Sequence, residues 1–254
     1  MRILFSLCLL LLLVVSAGAE TITVRADIWP PYNGDPKEAK AGYMIEVLRE
    51  IYGPAGNKID YRLMSWDDSL ASVRKGQFNA VVGASKDDAP DFVFPQESFG
   101  KSSNTFFALS KNKWVYTGIP SLSQVKLGVI EDYAYNEQID TYIKANKGSG
   151  KLVVGRGEEA LTQLIGKLQS GTVDVVVEDV SVMLFAMMKL GIPTGQIKAV
   201  GFPNGSQDIY VAFSPKAPSS KEYAQQFDEG IRKLRSSGKL QQILKRYNLS
   251  DWKS

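Results

Sequence analysis

The chain has 254 residues, with 30 lysines and arginines against 27 aspartates and glutamates, one cysteine and no histidine, for a formal net charge of +3. Without histidine, and with Cys8 inside an N-terminal apolar run, the rest of the chain can build no Ser-His-Asp triad, Cys-His nucleophile, His/Cys zinc site, haem or iron-sulfur centre. The near balance of charge, and the lack of any basic stretch interleaved with aromatics, argue against nucleic acid as a partner.

Taken in chain order, Arg2 precedes the apolar run ILFSLCLLLLLVV and the small residues SAGAE. That is the pattern of a secretory signal peptide over residues 1–19, cut after Ala19, and the run is shorter than the roughly 20 residues of a membrane span. The mature protein is expected in the periplasm. Removal of Cys8 leaves no disulfide to brace it there, so stability must come from buried apolar surface. TITVR then reads as a strand and is followed by ADIWPPYNG, where Pro30 and Pro31 fix φ and remove two donors, giving a stiff loop that carries Trp29 and Tyr32.

Further along, Met44, Val47, Leu48 and Ile51 share one helical face, as do Leu161, Leu164, Ile165 and Leu168. IDYRL, NAVVGA, VKLGVI, KLVVG, VDVVVE and DIYVAF are the remaining strand candidates, and Gly76, Gly171 and Gly191 close helices. Near the C-terminus, Ser219 and Glu222 form a capping box, Tyr223, Phe227, Ile231 and Leu234 an apolar stripe, and Gly238 a stop. This alternation predicts an α/β protein with mainly parallel sheets. RKGQFNAVVGAS and QSGTVDVVVEDV repeat one plan, helix end, glycine, polar, apolar, Asn/Asp and buried strand, which predicts two lobes of like construction. With NTFFALS leaving the first lobe and DIYVAFS returning to it, the expected division is residues 20–109 for the first part of lobe 1, 110–208 for lobe 2, and 209–254 for the completion of lobe 1.

ADIWPPY, AGYMIEVLREI, WDDSLASVRKGQFNAVVGA, SLSQVKLGVI, TVDVVVEDV and FDEGIRKLRSSGKLQQILKRY follow one another as landmarks of a known family. In this order the chain resembles the periplasmic solute-binding proteins of the amino-acid-binding type, family 3. The resemblance implies a type II periplasmic-binding-protein fold of two lobes joined by two crossing strands, closing on a ligand. It further implies a monomer without cofactor or metal, a small-molecule solute, and the membrane permease of an ABC importer as partner. Trp29 and Trp66 fall where the family places aromatics against the ligand, with Tyr32 beside them, and Asp179 where an acid meets a ligand ammonium; Asp179 also suits the N-cap of VSVMLFAMMKL. Ser85 and Lys86 stand where the family clamps a carboxylate, but KDDAPDFVF lacks the clamping arginine, leaving Lys86 as a point charge. Asp132 and Tyr133 replace a small anion-binding turn. An aspartate there repels a carboxylate, so the set Trp29, Trp66, Asp132, Tyr133 and Asp179 suits a cationic or aromatic amine. The alternatives are a ligand sensor for a signalling partner, or a dehydratase-like or glycan-cleaving enzyme using Glu131, Asp132, Glu178 or Asp179.

Overall fold

Apolar runs and helical stripes resolve into two sheets in a computed structural model, which describes residues 19–131, 133–157, 159–203 and 205–253. The signal-peptide segment, apart from Ala19, and Asp132 lie outside the described residues. The first sheet contains β1 (Thr21–Ala26), β2 (Lys58–Leu63), β3 (Ala80–Ala84), β4 (Gly100–Ser102) and β10 (Gln207–Phe213) in the order β2-β1-β3-β10-β4. The second contains β5 (Asn104–Leu109), β6 (Leu127–Ile130), β7 (Leu152–Gly155), β8 (Val175–Asp179) and β9 (Ile197–Ala199) in the order β7-β6-β8-β5-β9.

The two orders follow one plan. In each, three parallel strands are followed by one antiparallel strand, β10 or β5, and beyond it by an edge strand, β4 or β9, that pairs antiparallel with it. The sheets are therefore mixed, with parallel and antiparallel pairings balanced. Gly76 and Gly171, both at positive φ, introduce β3 and β8, the third strand of each sheet, so the internal repeat marks equivalent positions in two lobes.

The chain changes sheet at Ser103 and again between β9 and β10. β5 pairs with β8 from Asn104↔Asp179 to Phe107↔Val176 and also with β9, so residues 104–109 belong with the second sheet, not with the first lobe as the sequence suggested. β5 is apolar on both faces and suits either sheet locally; the choice is made by partners some 70 to 95 residues further on. β4 and β9, three residues each, fall below the length at which alternation can be read.

Helices α1 (Tyr43–Tyr52), α2 (Trp66–Arg74), α6 (Ser220–Ser236) and α7 (Lys239–Lys245) accompany the first sheet, and α3 (Glu137–Ala145), α4 (Ala160–Gln169) and α5 (Val180–Lys189) the second. Period-2 alternation divides each lobe's core. In the first lobe Val24, Val82, Val211 and Phe213 face α1, α6 and α7, while Val81, Ala84 and Ala212 face α2. The second lobe does the same with Phe106, Leu127 and Val177 against Phe107, Leu164 and Val176. The helix α5 also reaches across: Val182 joins the first lobe's core, and the Phe185 ring lies 6.5 Å from that of Tyr247. The Ser219 capping box does not form. Ser219 has helical backbone angles and no side-chain cap, and the neighbouring Ser220 hydroxyl donates to the Ser214 carbonyl instead.

One local device positions the cleft. The first amides of α1, orphaned as in any helix, donate to the loop before it: Tyr43 N to Pro31 O and Met44 N to Tyr32 O, both at 3.0 Å. Gly42 makes the approach with φ of 95°, and a Cβ there would stand 2.3 Å from Asn33 Cα. Gly42→Ala should therefore destabilise the fold by at least about 2 kcal/mol, read as a lower denaturation midpoint at unchanged m-value.

Candidate functional site

The loop after β1 is tied before it meets any ligand. Trp29 and Asn33 exchange backbone bonds of 2.8 and 3.1 Å around the Pro30–Pro31 pair, and the buried Asn33 amide donates to Asp27 O and Tyr61 Oη. The Trp29 ring stacks on Tyr32 at 4.2 Å and lies over Gly83 of β3, where a Cβ would sit 3.3 Å from the indole. Part of that ring stays exposed, whereas Tyr32 is 1 % exposed. Trp29 is thus a surface and Tyr32 its support. The Tyr32 hydroxyl lies 2.8 Å from Lys101 O and 3.0 Å from Asp179 Oδ1, and its single proton is shared between them.

Asp179 is held more completely than the sequence indicated. Its Oδ1 accepts from Ser181 N and Val182 N as the cap of α5, and its Oδ2 from Ser103 N and the Ser102 hydroxyl. With Tyr32 as a fifth partner and 2 % exposure, every lone pair is engaged inside the protein. Capping and ammonium contact are compatible on paper, but here they compete for the same oxygens, and the cap together with the crossing segment holds both. Burial raises the Asp179 pKa, opposed by the bonds from Ser103, Val182, Ser102 and Tyr32. Asp179→Ala is expected to cost roughly 2–4 kcal/mol of stability, measured by urea denaturation without ligand, because it strands these buried donors.

The remaining residues divide in the same way. Trp66, first in α2 behind its Ser65 cap, is half-buried against the cluster of Val73, Val81, Ala84, Ala89, Phe92 and Ala212, whereas Trp29 packs against the other cluster of the first lobe. Ser85, directly after β3, directs both its amide and its hydroxyl to Asp88. Lys86 is exposed, with its ammonium 5.0 Å from the centre of the Tyr210 ring. Glu131 is exposed and paired with Arg156 at 2.7 Å. Tyr133 follows β6, half-buried, its ring 6.3 Å from Tyr135. Its hydroxyl pKa is pushed up by burial first, then by Glu178, by Asp27 and by Asp179. Tyr133 therefore feels acids from both lobes.

Two of those acids carry the electrostatics of the gap. Asp27 continues β1 at its carboxyl end, and burial lifts its pKa to about 6 against a modest opposing backbone bond. Sequence reading passed over it, although the first side chain beyond a parallel strand is where an α/β sheet meets its ligand. Glu178, 1 % exposed near the end of β8, accepts from Asp179 N on Oε1, and among the described residues neither its Oε2 nor the hydroxyl of Thr105 opposite it has a partner. Burial pushes Glu178 from 4.5 to about 8, with Asp179 adding and its backbone bond subtracting. Among the described residues no metal cluster is present. A carboxyl whose folded pKa is raised stabilises the fold fully below its unfolded value and loses that contribution as pH rises through the folded one. Stability should therefore fall from about pH 4 to about pH 8, and Glu178→Gln should flatten the fall most clearly between about pH 6 and 8, above the range in which Asp27 titrates, followed by thermal melts across that range.

Two lobes of matched sheet order, crossed twice by the chain, define the type II periplasmic-binding-protein fold. The chain is 24 % identical over 218 residues to the L-cystine-binding protein TcyA of Bacillus subtilis (strain 168), a match spanning 85 % of this chain and 75 % of that protein. Among solved structures it is similar to an ancestral arginine-binding protein bound to arginine, with a TM-score of 0.66 and 18 % identity over 89 % of this chain and 97 % of that one. It is also similar to a histidine kinase sensor domain resembling periplasmic binding proteins, with a TM-score of 0.63 and 22 % identity over 89 % and 95 %. No protein-family model matches. These likenesses agree with the solute-binding family 3 resemblance read from the sequence.

Proposed function

We propose that the chain is an exported receptor that captures a small amine-bearing solute, an amino acid or a related compound, between its lobes and delivers it to the membrane permease of an ABC importer. The observation that carries this reading is that Asp27 of one lobe and Glu178 of the other both act on the Tyr133 hydroxyl and push its pKa up, behind burial. Two desolvated carboxyls with no ion pair among the described residues favour a ligand that brings a positive charge. The partly exposed Trp29 indole would add about 0.5–2 kcal/mol of cation-π attraction. L-cystine and arginine, bound by two of the similar proteins, both carry amines, which supports the same class.

The proposed location is the periplasm, reached by cleavage after Ala19, and the proposed working unit is a monomer. Capture without chemistry is the proposed mode, supported by the likeness to an L-cystine-binding protein and by the lack of any imidazole or thiol beyond Cys8. A bound solute should be recovered unchanged after prolonged incubation.

A thermal-shift screen of amino acids, amines and small organic acids tests the reading, since a ligand at 100 times its Kd adds about 2.7 kcal/mol of stability. Amine-bearing solutes should raise Tm. For the solute found, Trp29→Ala should weaken binding at least tenfold, about 1.4 kcal/mol, in calorimetry with little change in the unliganded Tm. Stabilisation by carboxylic acids alone, or turnover of the bound compound, would overturn the assignment.

A further inference from the structure

The fate of the carboxylate subsite deepens the solute-receptor reading and rests on it. We propose that Asp88 fills, from within the chain, the place a ligand carboxylate would take at the end of β3, so that the cleft selects an amine lacking an α-carboxylate.

Ser85 is the first residue beyond β3, the central strand of its sheet, at the same edge as the Trp29 loop that rests on Gly83. Its amide and hydroxyl are the donors a strand end offers to an anion. Both are taken by one oxygen of Asp88, at 2.7 and 2.8 Å, and Asp88 N returns a bond of 3.3 Å to the Ser85 hydroxyl. An incoming carboxylate must displace an anion already seated on those donors and then stand beside it, where like charges repel. Nor does the adjacent cation assist, for the Lys86 ammonium lies over the Tyr210 ring. On the other lobe, the buried Oε2 of Glu178 has no partner among the described residues, and a carboxyl there suits an ammonium or guanidinium and not a carboxylate. Occupied anion donors on one lobe and an unpartnered acid on the other, observed separately, favour the same ligand.

Calorimetric titration with matched pairs decides the matter: arginine against agmatine, and lysine against 1,5-diaminopentane. The decarboxylated member of at least one pair should bind about tenfold tighter or more. Asp88→Ala should then raise affinity for the amino acid at least about tenfold and leave the amine within about threefold, while Asp88→Asn, which keeps an acceptor on Ser85 without the charge, should fall between. Asp88 is exposed, and an unchanged Tm in both variants verifies that the turn persists. Wild-type protein binding the amino acids as tightly as the amines, or a ratio unmoved by Asp88→Ala, overturns the role of Asp88 and leaves the receptor reading standing. Failure of all four probes to bind wild-type protein removes the amine reading and this inference with it.

Discussion

The Asp179 carboxylate is the point at which this fold is tied together. It lies where three things meet: the segment by which the chain crosses from one sheet to the other, the first turn of α5, and the loop that carries Trp29. A single buried anion joined to five donors fixes the orientation of all three, because breaking any one of these bonds strands a desolvated polar group. The seating of α5 on the first lobe through Val182 and Phe185 extends the same anchorage by apolar contact. An acid that sequence comparison places beside a ligand thus works here as a keystone of the hinge, and the rest of the site is arranged around it.

That arrangement leaves the recognition chemistry to other groups. Asp27, partly buried after β1, and Glu178, buried near the end of β8, are both displaced toward the neutral form by burial. Such groups are costly to a fold unless something compensates them, and the common compensation at the mouth of two lobes is a ligand. Trp29 is suited to the same task. Its loop is tied to α1 and to Tyr61 before any ligand arrives, so little entropy remains to be lost on binding.

Much of this was legible in the sequence, and the exceptions share a cause. Strands such as NAVVGA and VDVVVE, the α1 and α4 stripes and the internal repeat follow from local periodicity, and they proved to be matching parts of two sheets. What could not be read depended on partners distant in the chain. The membership of β5 is decided by β8 and β9, the burial of Tyr32 by Lys101 and Asp179, and the saturation of Asp179 by Ser102 and Ser103. Asp88 is the opposite case. It lies three residues from Ser85, inside the stretch that lacks the arginine, yet nothing in that stretch singled it out; only its hydrogen bonds to Ser85 do.

The central claim is that a cationic solute is held between an acid of each lobe. A double-mutant cycle on Asp27→Asn and Glu178→Gln tests it most directly, with agmatine binding measured by calorimetry and folding verified by melts. The account predicts that each single change weakens binding at least about tenfold and that the two effects are not additive, because both acids act on one ligand charge. Affinity for the cation unchanged in the doubly neutralised protein, at full stability, would contradict it.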